Sequence, residues 1–290
     1  MGKERIAIVG SYGCGKTVLL SVLAHHYRIA SEGGLQIIPD NQEAVNFCTK
    51  NWALLKNGKW PPPTPPTDNP PIYKWKLLYG KKEKDIVTSD IAGEAWHSII
   101  IKYTEDSEKN VFWEAIKQKW NSIPVYLSQI GLSNHVVTVE DMLNTATRVY
   151  FLLDLAQIMD KEEGYEEAIY LPLAIERYMK SIGRKKVPIT LVLTKTDKYE
   201  FLYEETHDWR IAFQKFKERN DVPWIPDFDR IIPVSAVSKT KCNNPAQNFT
   251  SEGLDALCWS FWESKQGFMS GVIKRVFRLN ASEQHNRLPK

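Results

Sequence analysis

Residues 10–17 (GSYGCGKT) constrain the fold more strongly than any other segment of the sequence. They match the pattern G-x-x-x-x-G-K-[ST], whose glycines allow successive backbone N–H groups to turn inward around a phosphate. The pattern requires a buried strand before the loop and a helix after it. The apolar run at 5–9 and the amphipathic pattern at 16–28 meet both requirements. The sequence therefore predicts a strand, a phosphate-binding loop and a helix in direct succession.

Two side chains of this loop are expected to act on bound phosphates. Lys16 would reach the β- and γ-phosphates, and the hydroxyl of Thr17 would bind Mg²⁺. The positive N-terminus of the following helix would add to the attraction for an anion. The residues expected to surround the phosphates are Gly10, Gly13, Cys14, Gly15, Lys16, Thr17 and Val18.

Composition narrows the class of protein further. The chain has 290 residues, 43% of them hydrophobic, and a formal net charge of +3 from 38 basic and 35 acidic residues. Such a balance gives no reason to expect nucleic-acid binding. The four cysteines form no CxxC pair, and no apolar run is long enough to cross a bilayer. We therefore expect a cytoplasmic protein without direct membrane insertion.

Apolar runs alternate with amphipathic segments along most of the chain, which predicts an α/β fold. Strands are expected at 5–9, 72–79, 85–90, 149–153, 187–193 and 231–234, and helices at 16–28, 41–55, 166–182 and 253–277. The expected architecture is a three-layer sandwich around a mostly parallel sheet, with an antiparallel edge strand near 72–79. We predict one domain at 1–280, with insertions at 29–71 and 94–147 and a polar tail at 281–290.

A second motif, Thr194-Lys195-Thr196-Asp197, follows the apolar strand at 187–193. With the phosphate-binding loop, it resembles the Ras-like P-loop GTPases, whose fourth motif reads [NT]KxD. The resemblance implies that Asp197 accepts hydrogen bonds from guanine N1 and N2, and that the stem of Lys195 lies along the base. Thr194 stands where asparagine is more common in that family.

Two further segments extend the resemblance in the same order along the chain. Asp90 and Gly93, in the sequence DIAGE, match the DxxG motif, so Asp90 would hold Mg²⁺ through water and the Gly93 N–H would meet the γ-phosphate. Ser235 and Ala236 follow the last strand and resemble the fifth motif, whose backbone N–H contacts guanine O6. These segments follow strands, and open α/β sheets bind their ligands at the carboxyl ends of strands.

The remaining Mg²⁺ ligand implied by the resemblance is a threonine before the second strand. Thr64 and Thr67 both fit by position, and Thr67 is preferred because it lies closer to the strand. The surrounding segment, residues 60–71, contains seven prolines. It is interpreted as a switch segment, with a ligand for an aromatic-groove domain as the alternative.

Glu94 departs from the Ras-like pattern, in which a glutamine orients the attacking water. A carboxylate near the γ-phosphate introduces repulsion, so hydrolysis is expected to be slow without a partner. His97 could position water instead, although an exposed switch residue is the preferred interpretation. The residues with predicted catalytic roles are Lys16, Glu94 and Thr67.

The two long insertions border the expected γ-phosphate position, where partners read the nucleotide state of a switch. The sequence WPPPTPP before the second strand, DIAGE, and the long second insertion resemble the bacterial double-GTPase group of multi-component systems. The leading prediction is a Mg²⁺-dependent GTP-binding switch with slow hydrolysis, signalling through GAP- or GEF-like protein partners. A non-hydrolysing GTP-binding scaffold is one alternative, and a P-loop ATPase or nucleotide kinase is another.

Overall fold

The computed structural model describes most of the chain, with gaps. The described residues are 5–28, 34–62, 64, 71–89, 100, 132–161, 165–183, 187–222, 225–226, 228, 230–237, 244–247 and 249–262. No helix within these ranges is both long and apolar enough to cross a bilayer.

Strands and helices alternate through the described residues, as the sequence predicts. The strands are β1 (Ile6–Gly10), β2 (Leu35–Pro39), β3 (Ile72–Tyr79), β4 (Lys82–Ser89), β5 (Arg148–Leu153), β6 (Ile189–Thr194), β7 (Arg230–Val237) and β8 (Phe249–Glu252). The helices are α1 (Lys16–His26), α2 (Gln42–Lys56), α3 (Leu132–Thr145), α4 (Leu155–Met159), α5 (Tyr165–Ser181), α6 (Glu200–Glu204), α7 (Trp209–Arg219) and α8 (Leu254–Trp262). Short 3₁₀ helices lie at Thr196–Lys198 and Pro245–Gln247.

The larger sheet has five strands in the order β1-β5-β6-β7-β8. The first four are parallel, and β8 pairs antiparallel with β7 at the edge. The predicted α/β class, with a mostly parallel sheet and one antiparallel edge strand, is therefore confirmed. The predicted position of that edge strand, near 72–79, is wrong. The antiparallel edge strand of this sheet is β8, and residues 72–79 form β3 of the other sheet.

A second sheet has three antiparallel strands in the order β2-β3-β4. β3 and β4 form an antiparallel hairpin, with Ile72 opposite Ser89 and Tyr79 opposite Lys82. β3 is the central strand because β2, which the sequence did not predict, pairs along its other side. β2 has only five residues and ends at a proline, so it lacks a periodic pattern long enough to recognise.

Hydrophobic cores cover both faces of the parallel sheet, which gives the three-layer arrangement. Successive strand residues point to opposite faces, so Ala7 and Val9 of β1 enter one core while Ile6 and Ile8 enter the other. The first core includes α5 and α7, and the second includes α1, α2 and α8. Because both faces are buried, these strands are apolar along nearly their whole length.

The two insertions are only partly described, and the predicted tail at 281–290 lies wholly outside the described residues. The first insertion contains β2 and α2, and the second ends with α3. The helix predicted at 253–277 is observed at Leu254–Trp262, and its continuation lies outside the described residues. The single-domain boundary at 1–280 stays a prediction.

Candidate functional site

The loop between β1 and α1 has the backbone geometry that its glycines predict. Gly13 and Gly15 have φ values of +70° and +93°, in the left-handed region that favours glycine. A Cβ on Gly10 would lie 2.7 Å from the carbonyl oxygen of Leu152, so the loop begins in close backbone contact with β5. The Cys14 side chain is fully buried beneath the loop. The chain therefore curls tightly around the N-terminus of α1.

Lys16 lies inside this curl. Its ammonium donates to the carbonyl oxygens of Gly10, at 2.8 Å, and Ser11, at 2.9 Å. The side chain is buried, and the first turn of α1 contains no acidic residue. A lysine charge near the positive end of a helix dipole is unfavourable by itself. An anion bound here would be attracted both by the Lys16 ammonium and by the N-terminus of α1. Thr17 and Val18 follow on the first turn of α1.

The TKTD segment lies against the phosphate-binding loop. Thr194 ends β6, and its hydroxyl donates to the carbonyl oxygen of Cys14 at 2.7 Å. The ammonium of Lys195 donates to the carbonyl oxygen of Gly13 at 2.8 Å. These two bonds fix the distance between the end of β6 and the phosphate-binding loop.

Asp197 and Ser235 also lie together, although 38 residues separate them in sequence. The Ser235 hydroxyl, on β7, donates to a carboxylate oxygen of Asp197 at 2.8 Å. Because Ser235 is fully buried, it holds the Asp197 carboxylate from the interior of the protein. Tyr199 supports the same turn by donating its phenolic hydrogen to the Thr194 carbonyl oxygen. Burial raises the pKa of the Tyr199 phenol well above its usual value, so it stays a donor.

These segments enclose an open pocket of about 200 Å³. A cavity needs only about 10–15 Å³ to hold one water molecule, so this pocket has room for a much larger ligand. Its lining comes from the loop and α1, from the TKTD segment, from β7, and from one tryptophan. The lining residues are Gly13, Cys14, Gly15, Val18, Leu19, Trp60, Thr194, Lys195, Asp197, Lys198, Val234, Ala236 and Val237.

Asp154 is a site residue that the sequence analysis missed. It follows β5 directly and is fully buried, with one carboxylate oxygen accepting from the Ala156 N–H at the start of α4. The other oxygen lies 2.7 Å from the Lys195 ammonium and 4.0 Å from that of Lys198. An aspartate immediately after a buried parallel strand was a usable signal, because such positions meet at the ligand-binding edge of the sheet.

Gln157 is a second missed residue. Its amide oxygen accepts from the Ser11 hydroxyl at 2.8 Å, and its amide nitrogen donates to the carbonyl oxygen of Tyr12. The side chain is buried. It therefore holds the middle of the phosphate-binding loop from the protein side. Nothing in the local pattern of α4 predicts this role, because both contacts span about 145 residues.

The predicted γ-phosphate residues fall largely outside the described part of the chain. Thr67, Asp90, Gly93, Glu94 and His97 all lie there. Thr64 is described and lies outside regular secondary structure, which does not decide between Thr64 and Thr67. Of the predicted metal ligands, only Thr17 is described. Among the described residues, no three His, Cys, Asp or Glu side chains gather into a metal-binding cluster.

The sheet order, the loop before α1 and the pocket at the strand ends together define a P-loop NTPase α/β fold. No known protein family matches the sequence, and no curated protein matches it either.

Several solved structures resemble the chain at low similarity. Roco2 RocCORdC of Methanosarcina barkeri, solved bound to GDP, has 12% identity and a TM-score of 0.39, covering 90% of this chain and 48% of that one. The translation elongation factor SelB of Methanococcus maripaludis, solved with the GTP analogue GPPNHP, has 13% identity and a TM-score of 0.37, covering 90% and 34%. A bacterial selenocysteine-specific elongation factor EF-Sec has 15% identity and a TM-score of 0.38, covering 90% and 28%. The chain thus spans less than half the length of each.

Proposed function

We propose that this protein is a Mg²⁺-dependent GTP-binding switch that hydrolyses GTP slowly and signals through protein partners. One observation carries the proposal. The Asp197 carboxylate, held by Ser235 at 2.8 Å, lines the same pocket as the phosphate-binding loop. Phosphate-binding and base-reading groups therefore lie at two parts of one site.

The chemistry of Asp197 favours guanine over adenine. An ionised carboxylate only accepts hydrogen bonds. Guanine presents two donors on the edge that carries N1 and N2, whereas adenine presents an acceptor at N1. Adenine would therefore leave the carboxylate facing a lone pair, at a cost in affinity. Ala236, in the pocket wall after Ser235, is assigned to contact guanine O6 through its backbone N–H.

Lys16 and the N-terminus of α1 would hold the phosphates. The Lys16 ammonium donates to the carbonyl oxygens of Gly10 and Ser11, and these two bonds hold it within the curl of the loop. Mg²⁺ would neutralise the charge shared by the β- and γ-phosphates. Thr17, Asp90 and Thr67 are its proposed ligands, and the position of Thr17 on the first turn of α1 agrees with that role.

Slow hydrolysis is proposed because Glu94 replaces the glutamine of Ras-like enzymes. In-line attack by water on the γ-phosphate requires a group that orients the water without adding negative charge. Lys16 would stabilise charge on the phosphates, while Glu94 would oppose it. A complete loss of turnover would make the protein a GTP-binding scaffold with the same site.

The partners are proposed to be proteins of the GAP or GEF kind within a bacterial multi-component system, with no nucleic acid and no membrane insertion. The two insertions, 29–71 and 94–147, would carry the contact surfaces because they border the proposed γ-phosphate position. A cytoplasmic location agrees with such a role.

Nucleotide identification tests the proposal. The purified protein is denatured, the released nucleotide is separated by chromatography, and Kd values are measured for GDP, GTP, ADP and ATP. We expect GDP or GTP in the released material and tighter binding of guanine nucleotides than of adenine nucleotides. Equal or tighter binding of ATP would contradict the proposal and favour the ATPase or kinase alternative.

A further inference from the structure

We propose that Thr250, on the edge strand β8, is a positioning residue that aims the backbone N–H of Ala236 at guanine O6. The inference rests on the proposed function, in which that N–H contacts O6. Thr250 does not itself line the pocket, so it would act through the backbone of β7.

The Thr250 hydroxyl is fixed between two backbone groups. Its oxygen lies 3.0 Å from the carbonyl oxygen of Ser235 and 2.9 Å from the backbone nitrogen of Glu252. A backbone N–H can only donate, and a carbonyl oxygen can only accept. The hydroxyl therefore accepts from Glu252 and donates its own hydrogen to Ser235.

This side-chain bond lies where the pairing of β7 with β8 is irregular. Ser235 lies opposite Glu252, and Val237 lies opposite Phe249. Three steps along β8 therefore match two steps along β7, which is the pattern of a β-bulge. Thr250 lies within the bulge, and its hydroxyl supplies a hydrogen bond to β7 at the point where the regular register is interrupted.

The Ser235 carbonyl and the Ala236 N–H belong to one peptide group, so the bond from Thr250 sets the direction of both. This peptide bond is trans, and in a planar trans peptide the C=O and N–H point in opposite directions. The carbonyl points towards β8, so the N–H points to the other side of β7. The neighbour on that side is β6, which ends at Thr194 and leads into the TKTD segment. The N–H therefore points towards the side of the pocket that carries Asp197.

β8 is anchored on both sides of Thr250. At its start, the ring of Phe249 stacks on Trp52 of α2 with centroids 4.7 Å apart. Directly after its end, Gly253 has φ +74°, and a Cβ there would lie 1.9 Å from the carbonyl oxygen of Pro233. Glycine is required at this close backbone contact with β7. Because both ends are fixed, Thr250 can orient the Ser235 carbonyl instead of following it.

Ser235 thus connects two separate parts of base recognition. Its side-chain hydroxyl donates to Asp197 at 2.8 Å, and Asp197 is proposed to read N1 and N2. Its carbonyl oxygen accepts from Thr250, on the peptide group proposed to read O6. Removing the Thr250 hydroxyl leaves the first contact in place. The inference therefore predicts a loss of affinity that depends on O6 alone.

Substitutions at position 250 separate the hydroxyl from the rest of the side chain. Thr250→Val removes the hydroxyl and keeps a β-branched side chain that suits a strand. Thr250→Ser keeps the hydroxyl. Thr206→Val is the matched control, because the half-buried Thr206 also donates to a carbonyl oxygen, that of Asp208, at 3.0 Å and accepts from an N–H two residues later. Thr206 lies between α6 and α7 and does not line the pocket.

The readout is the Kd for three nucleotides. Inosine diphosphate keeps O6 and lacks the N2 amino group, whereas 6-thio-GDP keeps both donors and carries sulfur, a weaker acceptor, in place of O6. We expect Thr250→Val to weaken GDP and inosine diphosphate about fivefold each, the value of one neutral hydrogen bond, and 6-thio-GDP less than about twofold. Thr250→Ser and Thr206→Val should bind all three as the wild type does.

Equal weakening of all three nucleotides by Thr250→Val would overturn the inference, because it would show a general loosening of the site. Wild-type affinities in that variant, or the same selective loss in Thr206→Val, would also overturn it. Thr250→Ala removes the same hydroxyl and carries the same expectations if the valine variant does not fold. Failure of the wild-type chain to prefer GDP over ADP would instead refute the proposed function, and the inference with it.

Discussion

The ammonium of Lys195 lies 2.7 Å from the buried carboxylate of Asp154 and 2.8 Å from the carbonyl oxygen of Gly13. One charge therefore connects the end of β5, the phosphate-binding loop and the proposed base-reading segment. Asp154 is fully buried, and a buried carboxylate is stable only when it is paired and hydrogen-bonded. The pair keeps the two halves of the site at a fixed separation.

Asp154→Asn should lower both stability and nucleotide affinity. We expect the free energy of unfolding to fall by about 2–3 kcal/mol, less than for a fully buried pair because Lys195 keeps its bond to Gly13. Denaturant unfolding and GDP titration measure the two effects. Glu176→Gln is the control, because Glu176 and Lys180 pair at the same 2.7 Å distance at a partly exposed position on α5. That change should cost less than about 0.5 kcal/mol. Equal losses would contradict a special role for Asp154.

Thr194→Ala should loosen the contact between β6 and the phosphate-binding loop. It removes the hydroxyl that donates to the Cys14 carbonyl oxygen, and leaves that buried acceptor without this donor. We expect a loss of about 1–2 kcal/mol in unfolding free energy and weaker GDP binding. Thr194→Ser keeps the hydroxyl and should bind GDP as the wild type does. Weak binding by the serine variant would show that the methyl group, and not the hydrogen bond, matters.

Glu252→Gln should stabilise the protein at neutral pH. Partial burial, followed by the nearby carboxylates of Glu200 and Asp197, raises the pKa of Glu252 above its usual value. An acid with a raised pKa in the folded state destabilises it once ionised, so the penalty grows as pH rises above about 4.5. The stability advantage of the variant should therefore increase through that range and level off above the folded pKa. Thermal unfolding between pH 4 and pH 8 measures it, and an advantage that does not depend on pH would contradict the charge repulsion.

The isolated protein should hydrolyse GTP slowly, at less than about one turnover per minute. Glu94→Gln should increase the single-turnover rate, because the amide can orient water without repelling the γ-phosphate. Phosphate release at saturating GTP and Mg²⁺ provides the measurement. Rapid hydrolysis by the unmodified chain would contradict the role assigned to Glu94.

The parts of the fold that depend on local pattern were predictable. The phosphate-binding loop, the TKTD segment and Ser235 were found because each lies beside a recognisable apolar strand, and the fold brings them together. β2 and β8 were missed because they are only five and four residues long and depend on pairing with distant strands.

Contacts at long sequence separation account for the missed site residues. Gln157 reaches Ser11 across 146 positions, and Trp60 arrives at the pocket only because α2 ends beside it. The hydrophobic periodicity of the neighbouring sequence does not predict either contact. Asp154 differs, because its position at the carboxyl end of β5 places it at the site edge by topology alone.

Asp197→Asn tests the central claim most directly, by comparing Kd values for GTP and xanthosine triphosphate in the two proteins. The asparagine amide offers a donor that matches the xanthine oxygen at position 2, and it loses the charged acceptor for guanine. We expect GTP affinity to fall about 100-fold, roughly the value of one hydrogen bond to a charged group, and xanthosine triphosphate to become the preferred ligand. Asp141→Asn, at an exposed position on α3, should leave both affinities unchanged. Unaltered GTP binding by Asp197→Asn, with no gain for the xanthine nucleotide, would contradict guanine recognition at this site.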